Sequence, residues 1–355
     1  MTSIATRPPA RGQPSATVSA GQGALRRRRV LVVAVLLALL AVVALASLAV
    51  GAKPIPIGQV WDAIWAPTGS DNDLVVRSLR APRTILGIGV GIALGLAGAL
   101  MQGHTRNPLA DPGLLGVEAG AAFFVVVGIY ALGVTSLFSY VWFAFAGAGV
   151  ASVIVFVLGS LGRGGPTPVT LALAGVAVSA LLGALTSALL LADLATLDAF
   201  RFWAVGSLAG RDAAIAVQVA PFLLAGLLLA VLNAPGLNLL ALGEDVAYAL
   251  GQRVAVTRWT GLVAITLLTG SAVAACGPIG FVGLVVPHVA RALTGPDHRW
   301  LLPAAGLAGA VLLLSADVLG RVVVRPGELQ VGIVLALVGA PFFVVLVRRR
   351  RLVSL

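Results

Sequence analysis

From residue 30 onward the chain alternates between long apolar runs and short polar turns. Ten runs can be drawn: Val30–Val50, Thr84–Gln102, Leu114–Leu132, Tyr140–Leu161, Val169–Ala192, Ala213–Leu232, Trp259–Cys276, Ile279–Leu293, Leu301–Leu319 and Val331–Val347. A helix of ~20 apolar residues spans the hydrocarbon core of a bilayer. The pattern therefore predicts an all-α membrane protein of about ten transmembrane helices. The eighth run is short and carries Pro287 and His288, which points to a broken helix or a re-entrant segment. No polar-rich linker divides the chain, so residues 30–355 read as a single transmembrane domain. Residues 1–29, rich in Ser, Thr, Pro, Gly and Ala and ending in Arg26–Arg29, read as a disordered basic cytoplasmic tail. The first run exceeds a signal-peptide core and follows a long tail, so it reads as an uncleaved span.

Composition agrees with lipid as the solvent. Of 355 residues, 59% are hydrophobic and 10% charged, too few charges to solvate a soluble domain of this size. The net charge of +11 fits topology better than nucleic acid, because Arg26–Arg29 and Arg348–Arg351 abut apolar runs. An even number of spans puts both termini on one side, and these arginines make that side cytoplasmic. Sixteen Lys and Arg then lie inside and eight outside: Lys53, Arg77, Arg80, Arg83, Arg201, Arg211, Arg321 and Arg325. The outer arginines run against the usual bias and call for a reason.

Several chemistries are missing. Lys53 is the only lysine and precedes Pro54, so no Walker A loop exists to hold ATP. No Gly-x-Ser-x-Gly elbow or His-Glu-x-x-His helix is present. Cys276 is the only cysteine, and His104, His288 and His298 lie far apart, so neither a disulfide nor a metal site is expected. Glu118 is the lone acid placed well for proton coupling within a span. The chain reads as a non-enzyme. Gly87, Gly91 and Gly95 share one helix face, which suits close packing, with sliding along that face as the alternative.

Some polar segments are more specific than packing demands. One runs from Gly98 through Arg106, Asn107, Pro108 and Asp111 to Pro112, where two prolines and two short polar side chains build a rigid turn. A second runs from Asn238 through Leu242, Gly243, Glu244, Asp245 and Tyr248 to Gly251. Its acids suit the start of a short helix, and two short helices lying across the membrane face would make a stiff platform. A third runs from Gly277 through Phe281, Pro287 and His288 to Arg291. The fourth combines Ala316-Asp317 and Arg321 with Pro326 to Gly332. Arg80-Ala81-Pro82-Arg83 and Phe202 to Leu208 complete the set.

In their order, these strings resemble the permease subunits of ABC importers for iron-siderophores, haem and cobalamin, the type II importers. The likeness runs from about Arg80 to the last span. Gln330, Ala81 and Gly320 depart from the family's usual proline, leucine and alanine. The resemblance implies a multi-pass protein of the bacterial cytoplasmic membrane that pairs with a second permease subunit, as a homodimer or heterodimer. It also implies two cytoplasmic ATPase subunits that bind ATP and Mg, an extracytoplasmic substrate-binding protein, and no cofactor on this chain. Arg80, Arg83 and Arg321 match the positions that dock the binding protein. Asn238, Leu242, Gly243, Glu244, Asp245, Tyr248 and Gly251 match the ATPase-coupling segment. Arg106, Asn107, Pro108, Asp111, Pro287, His288 and Arg291 read as structural motifs near the inner face. A ferric siderophore is the expected cargo, with haem or cobalamin as alternatives and an ion-coupled secondary transporter as the alternative from another class.

Overall fold

In lipid, each backbone N–H and C=O must find its partner within the chain, and helices meet that demand locally. The computed structural model describes residues 16–51, 53–161, 167–325 and 327–348. Residues 1–15, Arg163, Pro326 and Arg349–Arg351 therefore lie outside the described residues. The helices in chain order are α1 (Ala16–Ala49), α2 (Ile57–Trp65), α3 (Asp71–Leu74), α4 (Ala81–Thr105), α5 (Val117–Leu132), α6 (Leu137–Ser160) and α7 (Pro168–Ala192). They continue as α8 (Leu194–Ala204), α9 (Ala213–Leu240), α10 (Glu244–Ala249), α11 (Val254–Cys276), α12 (Val282–Thr294), α13 (His298–Val323) and α14 (Val331–Arg348). No strand occurs among the described residues.

Each of the ten apolar runs forms a helix. Among the described residues seven helices are long and apolar enough to cross a membrane, while α5, α12 and α14 are shorter. In the eighth run the helix starts late but is unbroken through Pro287. Gly277–Phe281 is irregular, and α12 then supplies only 13 residues, about 20 Å of helix. The helix alone is shorter than the ~30 Å hydrocarbon core, and irregular backbone with positive φ at Gly277 and Phe281 precedes it. The exposed polar backbone this creates is tolerated because Gly277 and Ile279 are buried within the protein.

Four features depart from the sequence reading. The tail expected to be disordered as far as Arg29 is helical from Ala16, since its Ala, Gln, Leu and Arg residues favour helix. Its end is also tied down, with the Arg28 and Arg29 guanidiniums donating to the carbonyls of Ala292 and Thr294. The sixth helix runs eight residues past Leu232, through Pro235, to Leu240. Asn238 thus ends a long helix, and the expected pair of short helices reduces to α10 alone. Helices α2 and α8 were not anticipated, nor was the π-helical turn Val75–Arg80 that joins α3 to α4.

Helix α4 is the core element. Of its most apolar stretch 78% is buried, against 6% for α1. Its glycine face meets α13 backbone to backbone: a Cβ on Gly91 would lie 2.5 Å from the Ala310 Cα, and one on Gly95 2.2 Å from the Ala305 oxygen. Further along, Gly98 abuts the Gly283 carbonyl of α12. The small-residue face is packed over its whole length, so the helix has little room to slide there.

Candidate functional sites at the two ends of α4

At the N-terminal end of α4 three arginines cluster, and two of them share one acid. Arg83 clasps Asp317 in bidentate fashion, with Nε 3.1 Å from Oδ2 and Nη2 2.7 Å from Oδ1. Its Nη1 donates to Glu328 at 2.9 Å. Arg321 meets the same Asp317 one helical turn away through Nε and Nη2. Its Nη1 donates to the carbonyls of Ser47 and Val50, and its Nη2 to the Ser47 hydroxyl. Arg80 donates to the carbonyls of Leu48, Ala49 and Lys53.

The arrangement has a local cause. The last carbonyls of α1 have no partner within their own helix, and cations are favoured beside them. Arg80 and Arg321 cap that helix end from two other helices. Asp317 is 1% exposed, Arg321 4% and Arg80 6%, so these charges are structural as well as chemical. Arg83 is 13% exposed and Glu328 39%. Together with Lys53 and Leu79 they line a recess of about 360 Å³. The sequence placed all three arginines on an open surface. The structure leaves only Arg83 near it, while Arg77 and Arg325, given less weight, are exposed. Asp317 and Glu328 went unassigned, although Asp317 and Arg321 stand four residues apart on one helix face, a legible pair.

Beside this cluster three glycine-bearing segments meet. The Ser207 amide donates to the Cys276 carbonyl at 2.7 Å, and the Gly332 amide to Gly206 at 3.1 Å. Gly206 and Gly277 have positive φ, and a Cβ on either would strike backbone oxygen within 2.2 Å. Glycine at both positions is therefore required by conformation and by space together. Phe202–Leu208, the Gly277 string and the Gln330–Gly332 string, far apart in sequence, are one junction in space.

At the opposite end of α4, Arg106 adopts a left-handed conformation at φ 48° that ends the helix. Asn107 and Asp111 bond the local amides of Leu109 and Gly113, and Pro112 packs against Gly283. This is the rigid turn the sequence implied. Arg106 lies 3.6 Å from Glu244, and Arg258 also bonds Glu244. Glu244 opens α10, and the segment around that helix exposes Leu242 (61%), Tyr248 (77%) and Leu250 (60%). Asp245 and Gly251 are exposed, and Gly243 is half-buried. Asn238 stands apart from this group. It donates to Asp297 at 2.8 Å and accepts from the His298 amide at 2.9 Å, tying α9 to the start of α13.

Pro287, His288 and Arg291 are buried on α12. Arg291 reaches Gln102 Oε1 at 3.3 Å. Its Nη2 has no partner among the described residues, nor do His288 Nδ1 and His298 Nε2. Among the described residues no group of His, Cys, Asp or Glu could hold a metal ion.

Comparison with known proteins follows the same lines. The profile of the FecCD transport family matches residues 39–349. The chain is 50% identical over 329 residues to the ferric enterobactin transport system permease protein FepD of Escherichia coli (strain K12), covering 92% of this chain and 98% of that protein. It is 40% identical to the hemin transport system permease protein HmuU of Yersinia pestis, covering 89% and 95%. A solved metal-chelate type ABC transporter in an inward-facing conformation superposes with a TM-score of 0.79 at 32% identity, covering 90% of this chain and 99% of that one. A multi-spanning helical body with this fold, this family profile and these relatives identifies the chain as a member of the FecCD transport family, an ABC importer permease.

Proposed function

We propose that this chain forms the membrane path of an ATP-driven importer for a ferric siderophore. In this reading two permease subunits pair in the bacterial cytoplasmic membrane, with both termini in the cytoplasm. Two ATPase subunits dock at the Glu244 end, and an extracytoplasmic binding protein docks at the Arg80 end. The observation that carries the reading is α10. It packs on the helical body through the buried Ala247 while leaving Leu242, Val246, Tyr248 and Leu250 exposed, and its Glu244 is braced by Arg106 and Arg258. Exposed apolar residues on a stiff, salt-bridged support fit a partner surface rather than lipid or water. With a single lysine, Lys53, and no Walker loop, the energy of ATP must come from that partner. The cargo is carried over from the 50% identity to the ferric enterobactin permease.

On the opposite face Asp317 holds the Nε and Nη2 edge of Arg83, and its Nη1, now on the exposed Glu328, is the group that a carboxylate of the binding protein engages. The exposed Lys53, Arg77 and Arg325 add attraction around it. Arg80 and Arg321 serve docking indirectly, by fixing the end of α1 beneath that surface. Uptake of labelled ferric siderophore, haem and cobalamin by cells with and without the chain, each with and without vanadate, tests the function. Chain-dependent, vanadate-sensitive siderophore uptake is expected. Chain-dependent haem or cobalamin uptake alone changes the cargo. Vanadate-resistant uptake that collapses with the proton gradient overturns the reading in favour of an ion-coupled carrier. The double variant Glu244→Lys with Asp245→Lys should keep basal ATP hydrolysis and lose uptake. Unimpaired uptake would remove α10 from coupling.

A further inference from the structure

The link between α1 and α4 contains a helix with three distinct sides. On α2, Val60 and Ala63 are buried at 3% and 0%, packed with Ile55 and Val76 against the end of α1 and the π turn. At 100° per residue, Gly58, Gln59 and Asp62 share a second side, polar and exposed. Ile57, Trp61, Ile64 and Trp65 fill the third side and are 67%, 64%, 40% and 70% exposed. The two indole rings sit against each other with centroids 5.9 Å apart. Four large apolar side chains presented together on nine residues call for a cover.

The position of the helix says what covers it. It begins eight residues after α1 ends at Ala49 and is followed by the turn that leads into α4 at Ala81, so both flanking elements are spans at the same membrane boundary. The exposed apolar surface continues on either side of it, through Val42 and Leu45 of α1 and through Leu74, Leu79 and Ile85. Tryptophan is enriched where acyl chains meet headgroups, because its ring is apolar and its N–H is polar. An amphipathic helix with aromatic residues on one side and polar residues on the other lies in that plane.

We infer that α2 is an interfacial anchor, with Ile57, Trp61, Ile64 and Trp65 seated in the headgroup–acyl boundary of the bilayer beside the Arg80 cluster. The occupant of this face is lipid. The anchor sets the depth of the π turn, and hence of Arg80 at its end and of Arg83 just beyond it.

Site-directed spin labelling tests this in the assembled transporter reconstituted in phosphatidylethanolamine–phosphatidylglycerol vesicles. Cys276, the sole native cysteine, is fully buried, so cysteines introduced on α2 are labelled selectively. Labels at Trp61→Cys and Trp65→Cys should be reached by oxygen and shielded from a nickel chelate, at depths of ~5–10 Å below the phosphates. Labels at Gly58→Cys and Asp62→Cys, on the same helix, should be open to the chelate. Equal chelate access on both sides would overturn the proposal. So would shielding of the tryptophan side that arises only when the binding protein is added, which would make it a docking surface. Shielding that persists in detergent but vanishes when the permease pair is dissociated would assign the face to the second copy and also overturn it.

Discussion

The two ends of α4 both bury arginine, and they do it in opposite ways. At the Arg80 end, Arg83 and Arg321 share Asp317, and the remaining donors reach Ser47, Leu48, Ala49, Val50 and Glu328. At the other end, Arg291 is 2% exposed with one long bond to Gln102 and an unpartnered Nη2 beside unpartnered nitrogens of His288 and His298. A compensated network fixes one arrangement, because any rearrangement strands a buried charge. An under-satisfied one holds its neighbours less firmly. The comparison assigns rigidity to the Arg80 end of α4 and latitude to the Arg291 end.

Substitutions can break this contrast or sharpen it. The largest effect is expected from Asp317→Ala, which strands Arg83 and Arg321 together. It should cost about 3–5 kcal/mol, read as a lower midpoint of unfolding in a dodecyl sulfate titration. A loss under 1 kcal/mol would mean that water already compensates the network. Next comes Arg321→Met, which uncaps Ser47 and Val50 while Arg83 still holds Asp317; about 2–3 kcal/mol is expected. Arg291→Met, the matched change at the other end, should fall within ~1 kcal/mol of the parent, since the ion it removes has no counter-charge. If Arg291→Met proved as damaging as Arg321→Met, the two ends would be equivalent and the contrast would fail. The smallest effect is expected from Glu328→Gln. Glu328 is 39% exposed, so its pairing with Arg83 is worth at most ~1 kcal/mol. Releasing Nη1 of Arg83, whose other donors stay on Asp317, should tighten binding-protein affinity up to about fivefold in a titration at low salt. A weaker complex would instead make Glu328 itself a contact.

Much of the fold was legible because lipid allows so few solutions. The ten apolar runs became helices, several within three residues of the expected ends, since both their length and their polar boundaries are set by the bilayer. Helix α9 is an exception. The expected run stops at Leu232, but the amide of the next residue, Asn233, donates to the Thr257 carbonyl at 2.7 Å and to the Thr260 hydroxyl, so the helix continues. The shorter elements α2 and α8 escaped because neither has a span's worth of apolar residues. For α3 and α8 local signals were nonetheless present. Ser70 and Asp73 form a capping box ahead of the π turn, and Asp193 caps α8 by accepting from Thr196. The Thr196 hydroxyl and amide in turn hold the Asp193 carboxyl below its ordinary value. The arginine positions were found, but not their environment. Sequence assigns Arg80 and Arg321 to a loop boundary; it does not reveal that the carbonyls of α1 wait beneath them, because those contacts join residues 32 apart for Arg80 and 274 apart for Arg321.

That separation has a consequence for assembly. Ribosomes add ~5–20 residues per second, and Arg80 lies only 32 residues beyond Leu48. The first clamp can therefore close within a few seconds of α1 emerging. Ser47 and Val50 must wait for Arg321, at distances of 274 and 271 residues, or ~14–55 s at that rate of synthesis. For that interval the newborn first helix is held at its far end by one arginine alone. The second hand closes only when the ninth span arrives, so the clamp also marks that nearly the whole chain has been made.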